Sequence, residues 1–274
     1  MSADLHVHST YSDGTESPET VVFHAKNAGL KTIALTDHDT VDGIPEALAA
    51  GKKMGLEVIP GVEFSTEAQK AEIHILGYFI NCDDSNMLDL LKKVQNDRKD
   101  RICRICEKMI PLGVSLDPEK VFKKAGNEAP GRPHVARTMV EEGLVASFNE
   151  AFDRFLDFRS PAFVPHYKLE PQESIKMIKK AGGVPVFAHP NISGSDTLIE
   201  DFVKAGLRGI EAYYPHYYEG TVNKYLEFAK KYNLIVTGGS DYHGINSGRE
   251  IKLGEFTIKD ELVEKLKDEH LRGN

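Results

Sequence analysis

No stretch of this chain approaches the roughly 18 consecutive apolar residues that a membrane-spanning helix needs. Its first residues hold no basic segment followed by an apolar one, the pattern of an export signal. Both absences predict a cytoplasmic protein without a membrane partner. Cysteine is scarce: Cys82, Cys103 and Cys106 are too few and too scattered for a disulfide framework, which agrees with a reducing compartment. Cys103 and Cys106 do form a C-x-x-C, but inside the helical-looking run Arg98 to Met109. On a helix that spacing sets two small apolar groups on neighbouring turns, so it reads as packing rather than as a zinc or redox motif. Positive charge is in deficit, with 34 Lys and Arg against 42 Asp and Glu. The resulting −8 argues against coating of duplex DNA, which Lys and Arg drive by neutralising phosphates; it leaves room for a pocket that takes one nucleotide or a strand end. Neither a G-x-S-x-G elbow nor a P-loop occurs, so no familiar serine nucleophile or phosphate cradle is on offer.

What is present is ordinary globular composition, 41% hydrophobic and 28% charged, without low-complexity tracts. A chain of 274 residues can bury a full core as one large domain or as a barrel with an inserted subdomain. Ser17 and Pro18 read as the N-cap and first position of a helix ending at Ala28-Gly29. Thr32 to Leu35 reads as a strand delivering Thr36-Asp37-His38-Asp39, and a helix follows over about Gly43 to Met54. The strand Leu56 to Pro60 delivers Gly61-Val62-Glu63, and Ala71 to Phe79 is a further strand with His74 inside it. Strand, polar tip, helix, glycine: this rhythm predicts βα units and a parallel sheet. Over residues 85–160 the pattern turns helical and rich in Lys, Arg and Glu. That stretch predicts a small helical domain inserted between barrel segments 1–84 and 161–274. After a strand-like Ala162 to His166 the rhythm resumes with a helix over Pro171 to Ala181 and the strand Val184 to Ala188 before His189-Pro190. The strands Gly209 to Tyr213 and Leu234 to Thr237 follow, the latter leading into Gly238-Gly239-Ser240-Asp241-Tyr242-His243.

The chemistry starts at Asp4-Leu5-His6-Val7-His8-Ser9, a strand whose alternation sets Asp4, His6 and His8 on one face. Two imidazoles and a carboxylate do not suit a greasy core; they suit a metal. Residues i and i+2 of a strand share a face, so His6/His8 and Asp241/His243 can each chelate. A lone histidine is more often a hydrogen-bonded structural residue. Here six of eleven histidines fall at strand ends or in polar-faced strands, beside Asp13, Glu63 and Asp241. Imidazole and carboxylate ligands leave zinc, manganese and iron all open. Asp4 reads either as a group that orients the neighbouring histidines or as a strand-start cap.

These segments, in this order and over nearly the whole chain, resemble the PHP (polymerase and histidinol phosphatase) family: Asp4 to Ser9 with Ser12-Asp13-Gly14, Thr36-Asp37-His38, Gly61-Val62-Glu63, His74, Phe187-Ala188-His189-Pro190 and Ser240-Asp241-Tyr242-His243. The resemblance implies a distorted, TIM-like (β/α)7 barrel holding two or three divalent metals and hydrolysing phosphoesters. It implies one ion on His6, His8, Glu63 and Asp241, a second on Glu63, His74 and His189, and a third on Asp13, His38 and His243. Such a centre can acidify a water at neutral pH, the hydroxide then attacking phosphorus while the ions clamp the phosphoryl oxygens.

Within the helical segment, Gly131-Arg132-Pro133-His134 opens a helix. An arginine at a helix N-terminus is a ready anion site, although a capped, solvated turn reads the same way. The place of this motif resembles the stand-alone PHP subgroup that removes the 3′-phosphate of 3′,5′-bisphosphonucleotides and trims oligonucleotides from the 5′ end. The resemblance implies Arg132 and His134 as phosphate holders. By position alone Lys168, after a strand-like run, and Arg249, just past the last metal motif, are weaker candidates, since an exposed Lys or Arg is usually only solvated surface. Tyr213 to Tyr218 could stack a base or simply pack a loop on the rim. Alternatives from the same resemblance are a histidinol-phosphate phosphatase and a non-catalytic accessory module.

Overall fold

A computed structural model describes residues 3–69, 71–126, 130–165, 169–245, 247 and 251–273. Seven strands form one sheet in sequence order: β1 (Ala3–Val7), β2 (Thr32–Leu35), β3 (Glu57–Ala68), β4 (Ala71–Tyr78), β5 (Val184–Phe187), β6 (Gly209–Tyr213) and β7 (Ile235–Gly238). A bridge from Val7 to Tyr242, just beyond β7, brings the two edges together, so the sheet is nearly closed. The helices are α1 (Pro18–Asn27), α2 (Ile44–Met54), α3 (Ser85–Met109), α4 (Pro118–Ala125), α5 (Arg132–Glu141), α6 (Phe148–Ala151), α7 (Pro171–Lys180), α8 (Pro190–Ser193), α9 (Ile199–Ala205), α10 (Glu219–Tyr232) and α11 (Asp260–Gly273). None is long and apolar enough to cross a membrane. Helix α1 starts as its sequence dictates, Ser17 Oγ accepting from Thr20 N–H with Pro18 at the first position.

The seven-stranded barrel agrees with expectation; its strand directions do so only in part. β3 pairs with β4, and β4 with β5, antiparallel. Only Gln69 and Lys70 separate β3 from β4, and so short a link allows a hairpin but no crossover. Glu63 accordingly lies inside a strand that runs on to Ala68, not just after one ending at Pro60. β1 also departs from strict alternation: its pairing with β2 shifts register between Asp4 and Val7. Such a bulge re-aims side chains, and here Leu5 and Val7 enter different hydrophobic clusters. No strand forms over 162–165. Pro161 and Pro165 lack the N–H a ladder needs, and side chains take the carbonyls instead, Arg101 Nε reaching Val164 O at 2.7 Å and Lys108 Nζ reaching Phe163 O at 2.8 Å.

The helices between β4 and α7 enclose a hydrophobic cluster of their own, with Ile102, Ile105, Met109, Val135, Met139 and Phe155 in it. Cys106 belongs to that cluster and burial pushes its thiol up to about 12, which makes it an inert packing residue. Arg98 of α3 fastens this segment to the barrel. Its buried guanidinium lies 2.6–2.7 Å from Asp39 Oδ2 and donates to Ser65 Oγ at 2.7 Å. Removing one partner of a buried pair strands the other charge, at a cost of about 3–5 kcal/mol. Arg98→Met should therefore lower Tm by roughly 10 °C, at about 2–4 °C per kcal/mol for a chain of this size; a shift within 2 °C in a thermal melt would show that the pair is not needed.

Candidate metal centre

All nine ligand-type residues singled out in the sequence meet in one pocket. His6 comes from β1 and His8 from just beyond it, Asp13 from the following turn, and His38 from the loop after β2. Glu63 and His74 face each other from β3 and β4, His189 follows β5, and Asp241 and His243 follow β7. Most thus sit at the C-terminal ends of strands, where barrels carry their sites. Glu63 is the hub. Its Oε2 lies 3.2 Å from His6 Nε2, 3.1 Å from His8 Nε2 and 3.2 Å from His38 Nδ1. Its Oε1 lies 2.9 Å from both His74 Nδ1 and His189 Nε2. Asp241 Oδ1 is 3.2 Å from His8 Nε2 and 3.5 Å from His6 Nε2, and Asp13 Oδ1 is 3.1 Å from His243 Nε2.

These residues fit metal ions better than they fit one another. His6 Nε2, His8 Nε2, His38 Nδ1, Glu63 Oε2 and Asp13 Oδ1 are buried without a well-formed hydrogen bond, although ring nitrogens and carboxylate oxygens crowd within 3.5 Å. Metal–ligand bonds of about 2.0–2.2 Å put neighbouring ligand atoms about 3.0–3.5 Å apart, the spacing seen here. Three groups have ligand atoms mutually within 4.8 Å: His6, His8, Glu63 and Asp241; His8, Asp13, His38 and His243; and His38, Glu63 and His74. His189 joins through its contact with Glu63 Oε1.

Surrounding groups aim the rings. His6 Nδ1 lies 3.0 Å from Glu211 Oε1; a carboxylate can only accept, so the neutral ring keeps its proton there and turns the Nε2 lone pair inward. His243 Nδ1 is held in the same way, 2.8 Å from the carbonyl of Asp241. Glu211 Oε2 also accepts the backbone N–H of His189 at 2.7 Å, where the chain has φ 26°. Sequence reasoning missed Glu211; the only available signal was one acid in the otherwise apolar strand Gly-Ile-Glu-Ala-Tyr. Tyr214 OH donates to Asp241 Oδ2 at 2.7 Å, so that part of the Tyr213 to Tyr218 run serves the centre. Asp4 acts through backbone, its Oδ1 accepting from Ser240 N–H at 2.9 Å and His6 N–H at 3.3 Å. Gly239 allows this approach, because a Cβ there would stand 2.5 Å from His6 N.

Arg132 and His134 lie beside the centre with partners of their own. The Arg132 guanidinium donates to Glu72 Oε2 at 2.7 Å and to Leu156 O at 3.0 Å, and Glu72 in turn lies 3.3 Å from His74 Nε2. His134 Nδ1 accepts the N–H of Gly131 at 3.1 Å. Burial holds the His134 pKa down at about 4, the nearby Asp13 pulling it up and Arg137, Arg98 and Lys124 pushing it down. It is therefore neutral, with its proton on Nε2. Lys168 and Arg249 fall outside the described residues.

Without ions His8 and His74 are held protonated, whereas burial keeps His38 well below the usual imidazole range. Burial lowers the pKa of His8 and His74, but the carboxylates against them, Glu63 and Asp241 at His8 and Glu63 and Glu72 at His74, more than reverse this and carry them to about 9 and about 10. Ligation needs neutral rings, so ion uptake at pH 7 should expel protons, the number falling as pH rises through 9 to 10. Calorimetric titration with Mn²⁺ in two buffers of different ionisation enthalpy reads this; uptake without proton release would mean rings already neutral. Glu211→Gln, which keeps the shape but turns an amide NH2 onto one of two donors, should weaken ion binding about 10- to 100-fold and lower Tm as well. Wild-type affinity in that variant would leave Glu211 no part in aiming His6.

The chain matches the PHP domain family over residues 4–236. It is 35% identical, over 93% of its own length and 96% of the other's, to a protein of Haemophilus influenzae named 5′-3′ exoribonuclease. It is 31% identical, over 89% of its length and 88% of the other's, to a 3′,5′-nucleoside bisphosphate phosphatase of Chromobacterium violaceum. A crystal structure from Bifidobacterium adolescentis, described as a metal-dependent phosphoesterase, superposes with a TM-score of 0.90 at 29% identity, covering 97% of this chain and 95% of that one. By its sequence, its barrel and its convergent histidines and acids, the chain belongs to the PHP family.

Proposed function

We propose that this protein is a metal-dependent phosphoesterase of nucleotides. It removes the 3′-phosphate of a 3′,5′-bisphosphonucleotide, leaving the 5′-monophosphate, and takes short 5′-phosphorylated oligonucleotides as a second substrate class. The observation that carries this reading is the convergence of five imidazoles on the two oxygens of one buried carboxylate, Glu63. His6, His8, Glu63 and Asp241 would hold one ion, Glu63, His74 and His189 a second, and Asp13, His38 and His243 a third; manganese, zinc and iron all suit such ligands. Bound there, these ions would acidify a water and neutralise the phosphoryl oxygens. Two or three divalent ions outweigh the charge of three carboxylates, so the loaded pocket attracts a phosphate.

The chain's own residues do the rest. Glu211 and Tyr214 fix the His6 ring and the Asp241 carboxylate, 3.0 and 2.7 Å away. Arg132 and the neutral His134, at the start of α5, hold the second phosphate of the substrate, His134 by donating from Nε2. The chain then divides into a metal-bearing barrel, 1–84 and 161–274, and a helical domain over 85–160 that faces the substrate; the separate hydrophobic cluster of the latter supports the division. Its place of action is the cytoplasm, consistent with its few cysteines and with nucleotide substrates. The names of the two relatives above favour a nucleotide over histidinol phosphate.

Phosphate release should be measured with Mn²⁺, Zn²⁺ or Fe²⁺ over 3′,5′-bisphosphonucleotides, histidinol phosphate and 5′-phosphorylated RNA. The bisphosphonucleotide should be turned over, a chelator should abolish the activity, and His6→Ala should lower it at least about a hundredfold, since ligand loss removes the charge clamp. A flat response across all substrates would sink the phosphoesterase reading. Full turnover in His6→Ala would sink the metal dependence.

A further inference from the structure

Two adjoining cavities separate the helical segment from the barrel. One, ≈ 200 Å³, is lined by Asp13 and His243 of the metal centre together with Arg137, Phe148 and Phe152. The other, ≈ 570 Å³, shares Arg137 and Phe148 and adds Lys124 with its ion-pair partner Glu141. Phe148 and Phe152 are half-buried, their ring centroids 5.0 Å apart and their planes tilted by 38°. The same turn sends Phe155 and Leu156 into the hydrophobic cluster behind them, while these two rings stay at its edge. The Arg132 guanidinium lies 5.8 Å from the centroid of the Phe152 ring. Hydrolysis of a phosphate ester has no use for two phenyl rings beside its cations. Rings bordering a cavity that also carries Arg137 and opens beside the metal centre suit a flat heterocycle joined to phosphates, because every base offers a π-face while its phosphate is drawn to the centre.

We propose that Phe148 and Phe152 are the base platform of the substrate site. The nucleobase of the nucleotide whose phosphate lies at the metal centre stacks on this pair, and the cavity lined by Arg137 and Lys124 is the way out for a longer strand. This rests on the phosphoesterase reading above and adds what is recognised apart from phosphate.

Phe148→Leu and Phe152→Leu keep apolar bulk but lose the π-face; Phe152→Tyr keeps it. Adenosine 3′,5′-bisphosphate and the abasic ribose 3,5-bisphosphate are the paired substrates. The wild type should prefer the base-bearing one by about tenfold or more in kcat/KM, chiefly through KM. Each Leu variant should erase most of that preference, and Phe152→Tyr should retain it. Equal losses on both substrates, or no preference in the wild type, would overturn the platform. A second readout needs no turnover: calorimetric binding of adenosine 5′-monophosphate against ribose 5-phosphate. Weaker binding of the mononucleotide alone in the Leu variants supports the platform even if neither bisphosphate is hydrolysed, a failure that counts only against the phosphoesterase reading. Equal binding of the mononucleotide by wild type and variants would overturn the platform.

Discussion

A single carboxylate organises this protein. Glu63 is almost wholly buried, and an isolated ionised acid in such a place is very costly. Burial pushes its pKa up, yet His38, His6 and His74 hold it well below the usual carboxylate range. Those partners come from the first strand, the loop after the second and the fourth strand. Closing the barrel and assembling the centre are therefore one event. A one-residue slip of β3 against β4 would turn either Glu63 or His74 to the other face of the sheet, so the eight-pair hairpin register is a functional constraint as much as a structural one.

The helical segment is registered on that centre by arginines. Arg98 reaches Asp39, the neighbour of His38. Arg132 reaches Glu72, two residues from His74 on the same strand face. Arg137 Nη2 donates to the carbonyl of Asp13 at 2.8 Å and to that of Ser247 at 3.2 Å. Each arginine thus makes at least one contact within two residues of a member of the cluster. A guanidinium suits the task because its fixed fork can grip two acceptors at once. Displacing the helices by even an ångström would be felt at the loops that carry His38, His74 and Asp13.

How much of this the sequence disclosed follows from the range over which each signal acts. His6-x-His8 and Asp241-x-His243 are legible because two polar ligands two residues apart conflict with the apolar alternation of a buried strand. Gly239 beside them shows its part only in the structure, where a Cβ would stand 2.5 Å from His6 N. Glu211 was not, because a lone acid in a strand is indistinguishable from a solvated one until His6 and the His189 amide are seen around it. The antiparallel hairpin was hidden by reading β3 as ending at Pro60, although the two-residue link at Gln69 and Lys70 implied it. Of the strand expected over Ala162 to His166, whose last residue lies outside the described residues, none forms over 162–165, because carbonyls there are claimed by Arg101 and Lys108 from a distant helix, which no local pattern reveals.

Three of the seven described non-glycine residues with positive φ lie where the cations would sit. Asp39, His189 and Asp241 have φ of 52°, 26° and 52°, in the left-handed region that non-glycine residues avoid. Each such residue costs of order 1–3 kcal/mol and persists only when its surroundings over-determine it. Here they do. The Asp39 carboxylate is held by the Ser65 amide and Arg98. The His189 amide is held by Glu211, and Tyr242 exchanges hydrogen bonds with His6 O and His8 N across Asp241. Glycine would relieve the backbone at His189 and Asp241 but would remove the very ligands. The fold keeps both strained ligands by spending hydrogen bonds from inside the barrel on them. Because Glu211 aims the ring of His6 while holding the backbone of His189, those two imidazoles cannot move apart without losing the one buried acid that serves them both.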